Sequence, residues 1–257
     1  MDAIGKRIQE IRRKFNLKEI KKETPEENRK RTEEMERRFV AEYNAKKAKV
    51  FLKQRSLLNQ KDALDAEYSD LDKNSSDKFK ALTKRSLQVV RDFANKNMYT
   101  VILTGTQGSG KTMLTSCMLN KLNQATNLKC LFASTVKIYD LAMARYKNLS
   151  KEDLQDSQQA LYHFMKSVKE ADVLALDDLG SETALGAETR EASQTMQEIL
   201  FEIGEVIQDK GLIITTNNSL QDFSKMYNSK IISRLFTNNP EHIFNFKGIE
   251  DRRIGNR

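Results

Sequence analysis

The chain has 257 residues, two cysteines, two histidines and a formal net charge of +8 at pH 7, a length that suits one mid-sized domain with a smaller companion. Several classes drop out at once: no run of about 18 apolar residues is present to cross a membrane as a helix, and the start Met1-Asp2-Ala3-Ile4-Gly5-Lys6-Arg7 lacks the apolar stretch of a secretory signal. Cys117, Cys130, His163 and His242 stand at no zinc-ligand or disulfide-scaffold spacing, so a reducing cytoplasm is the expected location.

The charge is unevenly placed. Residues 1–60 carry 18 Lys plus Arg against 10 Asp plus Glu, and the rest of the chain is balanced. A basic arm suits an acidic partner such as nucleic acid or an acidic protein surface, and the alternative is a solvated helix face with no partner. Within the arm, Ile4, Ile8, Ile11 and Phe15 recur at helical spacing. Thr24-Pro25-Glu26-Glu27 reads as an N-cap, a proline at the first helical position and acids in the first turn. Met35, Phe39 and Tyr43 form a second stripe. The polar run Asp72-Lys73-Asn74-Ser75-Ser76-Asp77 is turn-like and marks the expected boundary, giving a basic helical domain over 1–72 and a second domain over 73–257.

From residue 78 the texture changes. Phe79, Leu82, Leu87, Val90 and Phe93 predict an amphipathic helix. Short β-rich runs then alternate with helical stretches, at 99–104, 129–134, 173–177, 212–216 and 243–246. That alternation predicts an α/β fold, a mostly parallel sheet flanked by helices on both faces.

Five patterns carry chemistry. Gly105-Thr106-Gln107-Gly108-Ser109-Gly110-Lys111-Thr112 fits the phosphate-binding G-x-x-x-x-G-K-[ST] loop, after an apolar strand and before a helix. Glycines let backbone N–H groups crowd round phosphate oxygens, and the helix N-terminus adds a positive dipole end. Lys111 would reach the β- and γ-phosphates of ATP, and the Thr112 hydroxyl would ligate Mg2+. Val173-Leu174-Ala175-Leu176-Asp177-Asp178 reads as a buried strand tipped with two acids, Asp177 for magnesium and Asp178 to orient or deprotonate the attacking water. Leu212-Ile213-Ile214-Thr215-Thr216-Asn217 puts a polar residue at another strand tip, with Asn217 the candidate for the γ-phosphate or lytic water and Thr216 next. Arg234, amid the apolar residues of Lys230-Ile231-Ile232-Ser233-Arg234-Leu235-Phe236, is either an arginine finger for a neighbour's ATP or a surface ion pair. Asp251-Arg252-Arg253 offers a further arginine or a basic tail.

Taken in order, these motifs, with Asp177-Asp178-Leu179-Gly180 and the closing Gly248-Ile249-Glu250-Asp251-Arg252-Arg253, resemble the AAA+ ATPases of the DnaC/DnaI helicase-loader family and the related IstB transposition helpers, over about residues 78–257. The resemblance implies Walker A at residues 105–112, Walker B at Asp177 and Asp178, sensor 1 at Asn217, an arginine finger at Arg234 and sensor 2 at Arg252, with Arg253 the alternative. It implies a P-loop AAA+ sheet and a smaller all-helical N-terminal domain that docks a replicative hexameric helicase. It also implies self-association in a ring or spiral with ATP between neighbours, and single-stranded DNA on the inner face near Lys137, Tyr139, Arg145, Tyr146 and Lys147. Tyr139 and Tyr146 equally fit a helix packing stripe. Some loaders carry an arginine where Lys230 stands, and some carry zinc-binding cysteines that this chain lacks. The expected function is therefore ATP-dependent helicase loading in DNA replication, bacterial or phage. The rivals are an IstB-like transposition ATPase, a non-hydrolysing ATP-switched adaptor and a P-loop small-molecule kinase.

Overall fold

The computed structural model describes residues 24–58, 64–71, 76–183 and 190–251. It divides into two compact units, residues 1–43 and residues 44–257. Helix α1 (Pro25–Arg55) begins as the sequence predicts: Thr24 accepts from Glu27 N–H while Glu27 accepts from Thr24 N–H, a reciprocal box at the helix start. In the first unit its surface is charged, with ion pairs Lys30–Glu26, Arg29–Glu33 and Arg38–Glu34 one turn apart. Met35, Phe39 and Tyr43 are exposed along it.

The second unit is built on five parallel strands: β1 (Thr100–Thr104), β2 (Cys130–Ser134), β3 (Val173–Asp177), β4 (Gly211–Thr216) and β5 (Ile243–Asn245). Their order in the sheet is β2-β3-β4-β1-β5. All five predicted runs are strands, within a residue at each end. Side chains alternate between two cores, as a period of two requires. Val101, Leu103, Phe132, Val173, Ala175 and Ile213 face one cluster with helices α2 (Asp77–Ala94) and α3 (Lys111–Ala125). Ile102, Leu131, Ala133, Leu174, Leu176, Leu212 and Ile214 face the other. That second face is covered by α4 (Thr135–Ala142), α5 (Lys151–Glu170), α6 (Gln194–Val206), α7 (Leu220–Met226) and α8 (Ser229–Leu235). Strands buried on both sides have to be apolar throughout, which explains runs such as Val173-Leu174-Ala175-Leu176.

The compact division falls at 43/44, not at the polar run near 72. Leu52, Leu58, Leu64 and Leu71 are buried in the sheet unit's core. The chain there also extends the sheet past β2: Leu57 N–H donates to Phe132 O at 2.9 Å, Ser134 N–H returns to Leu57 O at 2.9 Å, and Ser56 Oγ accepts Phe132 N–H. A single bridge carries no period-two signal, so the turn-like polar run set the expected boundary. Both cysteines are free and buried, Cys117 in α3 and Cys130 at the start of β2. Burial pushes the Cys117 thiol up to about 12, with help from the Asp70 and Glu67 charges, and raises that of Cys130 as well. Among the described residues no helix is long and apolar enough to cross a membrane.

Candidate active site

Parallel strands bring all their C-terminal ends to one edge, and in open α/β sheets ligands bind along that edge. The strand order sharpens this. Because β4 lies between β1 and β3, Asn217 sits beside the glycine loop on one side and the two acids on the other.

The loop between β1 and α3 turns through Gly105, Gly108 and Gly110, with φ of 149°, 78° and 95°, conformations that glycine adopts without the cost of a Cβ. Space makes the same demand at Gly105, where a Cβ would fall 2.7 Å from that of Phe246, and at Gly108, where it would fall 2.0 Å from an Asp251 carboxylate oxygen. Helix α3 opens on Gly110 with no side-chain cap. Elsewhere Ser76, Ser150, Ser193 and Asn228 cap α2, α5, α6 and α8. The first N–H groups of α3 are thus left for another acceptor, and with the dipole they suit an anion.

Lys111 is 5 % exposed, and its Nζ donates to Gly105 O, Thr106 O and Asn217 Oδ1, each at 2.8 Å. Thr112 Oγ1 donates to Asp177 Oδ1 at 2.9 Å, and Thr215 Oγ1 donates to the same oxygen at 2.6 Å. Burial pushes the Asp177 carboxyl up to about 6, the Asp178 charge adds to that, and Thr215, Thr112 and Lys111 oppose it. Asp178 is held at φ 55°, a left-handed conformation, by its N–H on Thr215 Oγ1 at 2.9 Å. Its carboxylate faces Asn217 Nδ2 at 3.5 Å. Thr135 Oγ1 donates to the carbonyls of both Asp177 and Asp178.

Lys111, Thr112, Asp177, Asp178 and Asn217 therefore form one hydrogen-bonded group. Thr216 does not join it: its hydroxyl donates to Leu179 O, because alternation along β4 aims Thr215 and Thr216 to opposite sides. Thr215 and Thr135 were not singled out in the sequence. For Thr215 no local signal existed, because its reach to Asp177 depends on β4 lying next to β3, which strand order alone decides. Arg234 takes no part in the group. Its Nε pairs with Glu205, its Nη1 donates to Lys230 O at 3.0 Å, and its guanidinium lies 4.5 Å over the Phe201 ring. Arg252 and Arg253 lie outside the described residues. Of the residues expected near DNA, Tyr139 packs partly into the core while Tyr146 is exposed beneath the Arg145 guanidinium. Lys137 donates to Leu58 O, and Lys147 pairs with Asp140.

The family model described as the ATPase family associated with various cellular activities (AAA) matches residues 101–239. The chain belongs to the AAA family. Its AAA domain runs from β1 through the helix that carries Arg234, so every member of the hydrogen-bonded group falls inside the match. The chain is an ATPase of the P-loop class. Among solved structures, one of a protein described as a primosome component from Streptococcus pyogenes serotype M3 matches with 19 % identity and TM-score 0.51, covering 77 % of this chain and 94 % of that one. A structure of DnaI matches with 19 % identity and TM-score 0.52, covering 77 % of this chain and 96 % of that one. These two share its fold. No curated protein matches the sequence.

An AAA domain binds nucleotide, and the residues here fit magnesium too. Thr112 Oγ1 and Asp177 Oδ1 are adjacent hard oxygen donors, the kind that ion takes. When bound there, it would neutralise negative charge on the nucleotide's phosphates.

Proposed function

We propose that this AAA chain is an ATP-dependent loader of a replicative DNA helicase, binding ATP with magnesium and single-stranded DNA and acting in an assembly of several copies. The observation that carries the ATPase part is the group in which Lys111, Asn217, Thr112 and Asp177 are bonded beneath an uncapped helix N-terminus. Lys111 and the loop N–H groups hold the phosphates, exchanging the loop carbonyls for phosphate oxygens. Asp178, fixed by Thr215 and set beside Asn217, orients the attacking water and accepts its proton. Thr112 and Asp177 would hold the metal. Arg234, standing outside this group, serves a neighbour's ATP, and the site is completed only by assembly.

The loader assignment is supported by the agreement in fold with DnaI and with the primosome component across nearly their whole chains. The excess positive charge of residues 1–60 supports an acidic partner there, for which the helicase is the choice. Arg145 and the exposed Tyr146 provide the cation and the stacking ring that backbone tracking and base stacking need. Copurification with the hexameric helicase of its own replication system, with and without ATP, tests the assignment. Binding through residues 1–72 is expected. Failure to bind the helicase, with binding to a transposase instead, would move the chain to the IstB-like reading. In the same preparation Asp178→Asn should lower ATP turnover by about 100-fold.

A further inference from the structure

The turn that follows Asp178 is held by a buried carboxylate that plays no part in the site above. Glu182 belongs to the short 3-10 turn Ser181–Thr183 and is nine-tenths buried. Its Oε2 accepts Gly180 N–H at 3.0 Å, and its Oε1 accepts the hydroxyl of Tyr227. Tyr227 is 3 % exposed, follows α7 directly, and precedes Asn228, the residue that caps α8. Its ring is stacked on Phe223 with centroids 5.8 Å apart.

The two donors thus come from separate parts of the chain, the acidic turn and the α7–α8 junction. Close packing joins the same parts. Gly180 has φ +93°, and a Cβ there would fall 2.3 Å from Asn218 Nδ2 and 3.2 Å from Met226 Sδ. Thr183 Oγ1 donates to Gly180 O at 2.8 Å, and Leu179 N–H donates to Thr215 O at 2.9 Å. A carboxylate is a costly group to bury, and it is tolerated where both oxygens are matched by donors. A turn needing only to be filled would take an apolar side chain. A carboxylate shared by two donors fixes direction as well as distance.

We propose that Glu182 and Tyr227 are positioning residues for ATP hydrolysis. Their shared hydrogen bond ties the Asp177–Asp178 turn to the base of α8, so the acid that orients the water and the arginine offered to a neighbour keep a set relation. Neither residue touches nucleotide. The inference rests on the reading that Asp178 and Arg234 act on ATP.

Tyr227→Phe removes one hydroxyl and nothing else. Glu182→Gln keeps the shape but turns one of the two acceptors into a donor. Both are measured in the full-length chain, below the melting temperature of each, alongside Asp178→Asn. The expected result is nucleotide affinity within about twofold of the parent, turnover about tenfold lower, and a double variant no slower than the slower single one. Should one single variant fail to fold, the other carries the same comparison. Parental turnover in the folded variants overturns the proposal, and so does a parallel loss of affinity and turnover, which is what a general packing defect gives. Asp178→Asn separates the two levels. If it is inactive while Tyr227→Phe turns over at the parental rate, the brace alone fails; if Asp178→Asn is itself fully active, the hydrolysis reading fails.

Discussion

Burial pushes the Asp177 carboxyl up to about 6, above the ordinary carboxylate value of about 4. The native state therefore binds the proton more tightly than the unfolded chain does. This residue's unfavourable contribution is absent below about pH 4, grows as the pH rises, and is complete above about pH 6. Asp177→Asn should remove it. The variant is expected to be more stable than the parent by about 1–3 kcal/mol at pH 8, with the difference vanishing below about pH 4. Urea denaturation across that range checks the sign. The same variant should lose ATP turnover, since an amide is a poor partner for magnesium. Under the proposed function, stability is given up at a residue whose charge the reaction uses.

At the scale of elements, α6 and α8 meet through Gly204. A Cβ on it would fall 2.9 Å from Arg234 Cβ and 3.2 Å from its Cδ. Alanine in a helix interior normally gains up to about 1 kcal/mol over glycine. Here Gly204→Ala should instead cost about 1–2 kcal/mol, because the clash involves the root of the Arg234 side chain and α8 has to shift. Thermal denaturation decides between the two signs. The Arg234–Glu205 pair nearby is half exposed at the acid, so its loss alone should change stability little. Glu205→Gln is expected to leave the melting temperature within a few degrees of the parent.

These elements also show what could be read in advance. The five strands were legible because each is an unbroken apolar run, and the glycine loop because its spacing is set by phosphate geometry. Asp177 and Asp178 were legible only as the tip of such a run. The placing of β4 between β1 and β3 was not, since strand order leaves no local pattern, and with it went the role of Thr215. Arg234 was visible as a charge among apolar residues, but its partners Glu205 and Phe201 lie on α6, about 30 residues earlier, and only folding brings them together.

For the whole molecule, the compact division at 43/44 makes a clear statement. Among the described residues, none before Phe51 belongs to either hydrophobic cluster. Removing residues 1–43 should therefore leave a folded AAA unit with its melting temperature close to that of the parent and its nucleotide affinity unchanged. Under the loader reading, copurification with the helicase should be lost in the same truncation. Turnover by the full chain should rise more steeply than linearly with protein concentration, and Arg234→Ala should remove that curvature, because the arginine lies outside its own chain's group.

The burial of Cys117 and Cys130 has a practical side. These are the chain's two cysteines, and thiols held so far into the protonated state, behind packed side chains, react slowly with maleimides and iodoacetamides. The native protein is thus already a clean background for site-directed labelling. A cysteine introduced at the exposed Lys225, in the last turn of α7, would be the one fast-reacting thiol in the folded chain. Mixing donor- and acceptor-labelled copies would then test by energy transfer for the assembly proposed above, with no native residue replaced in the core.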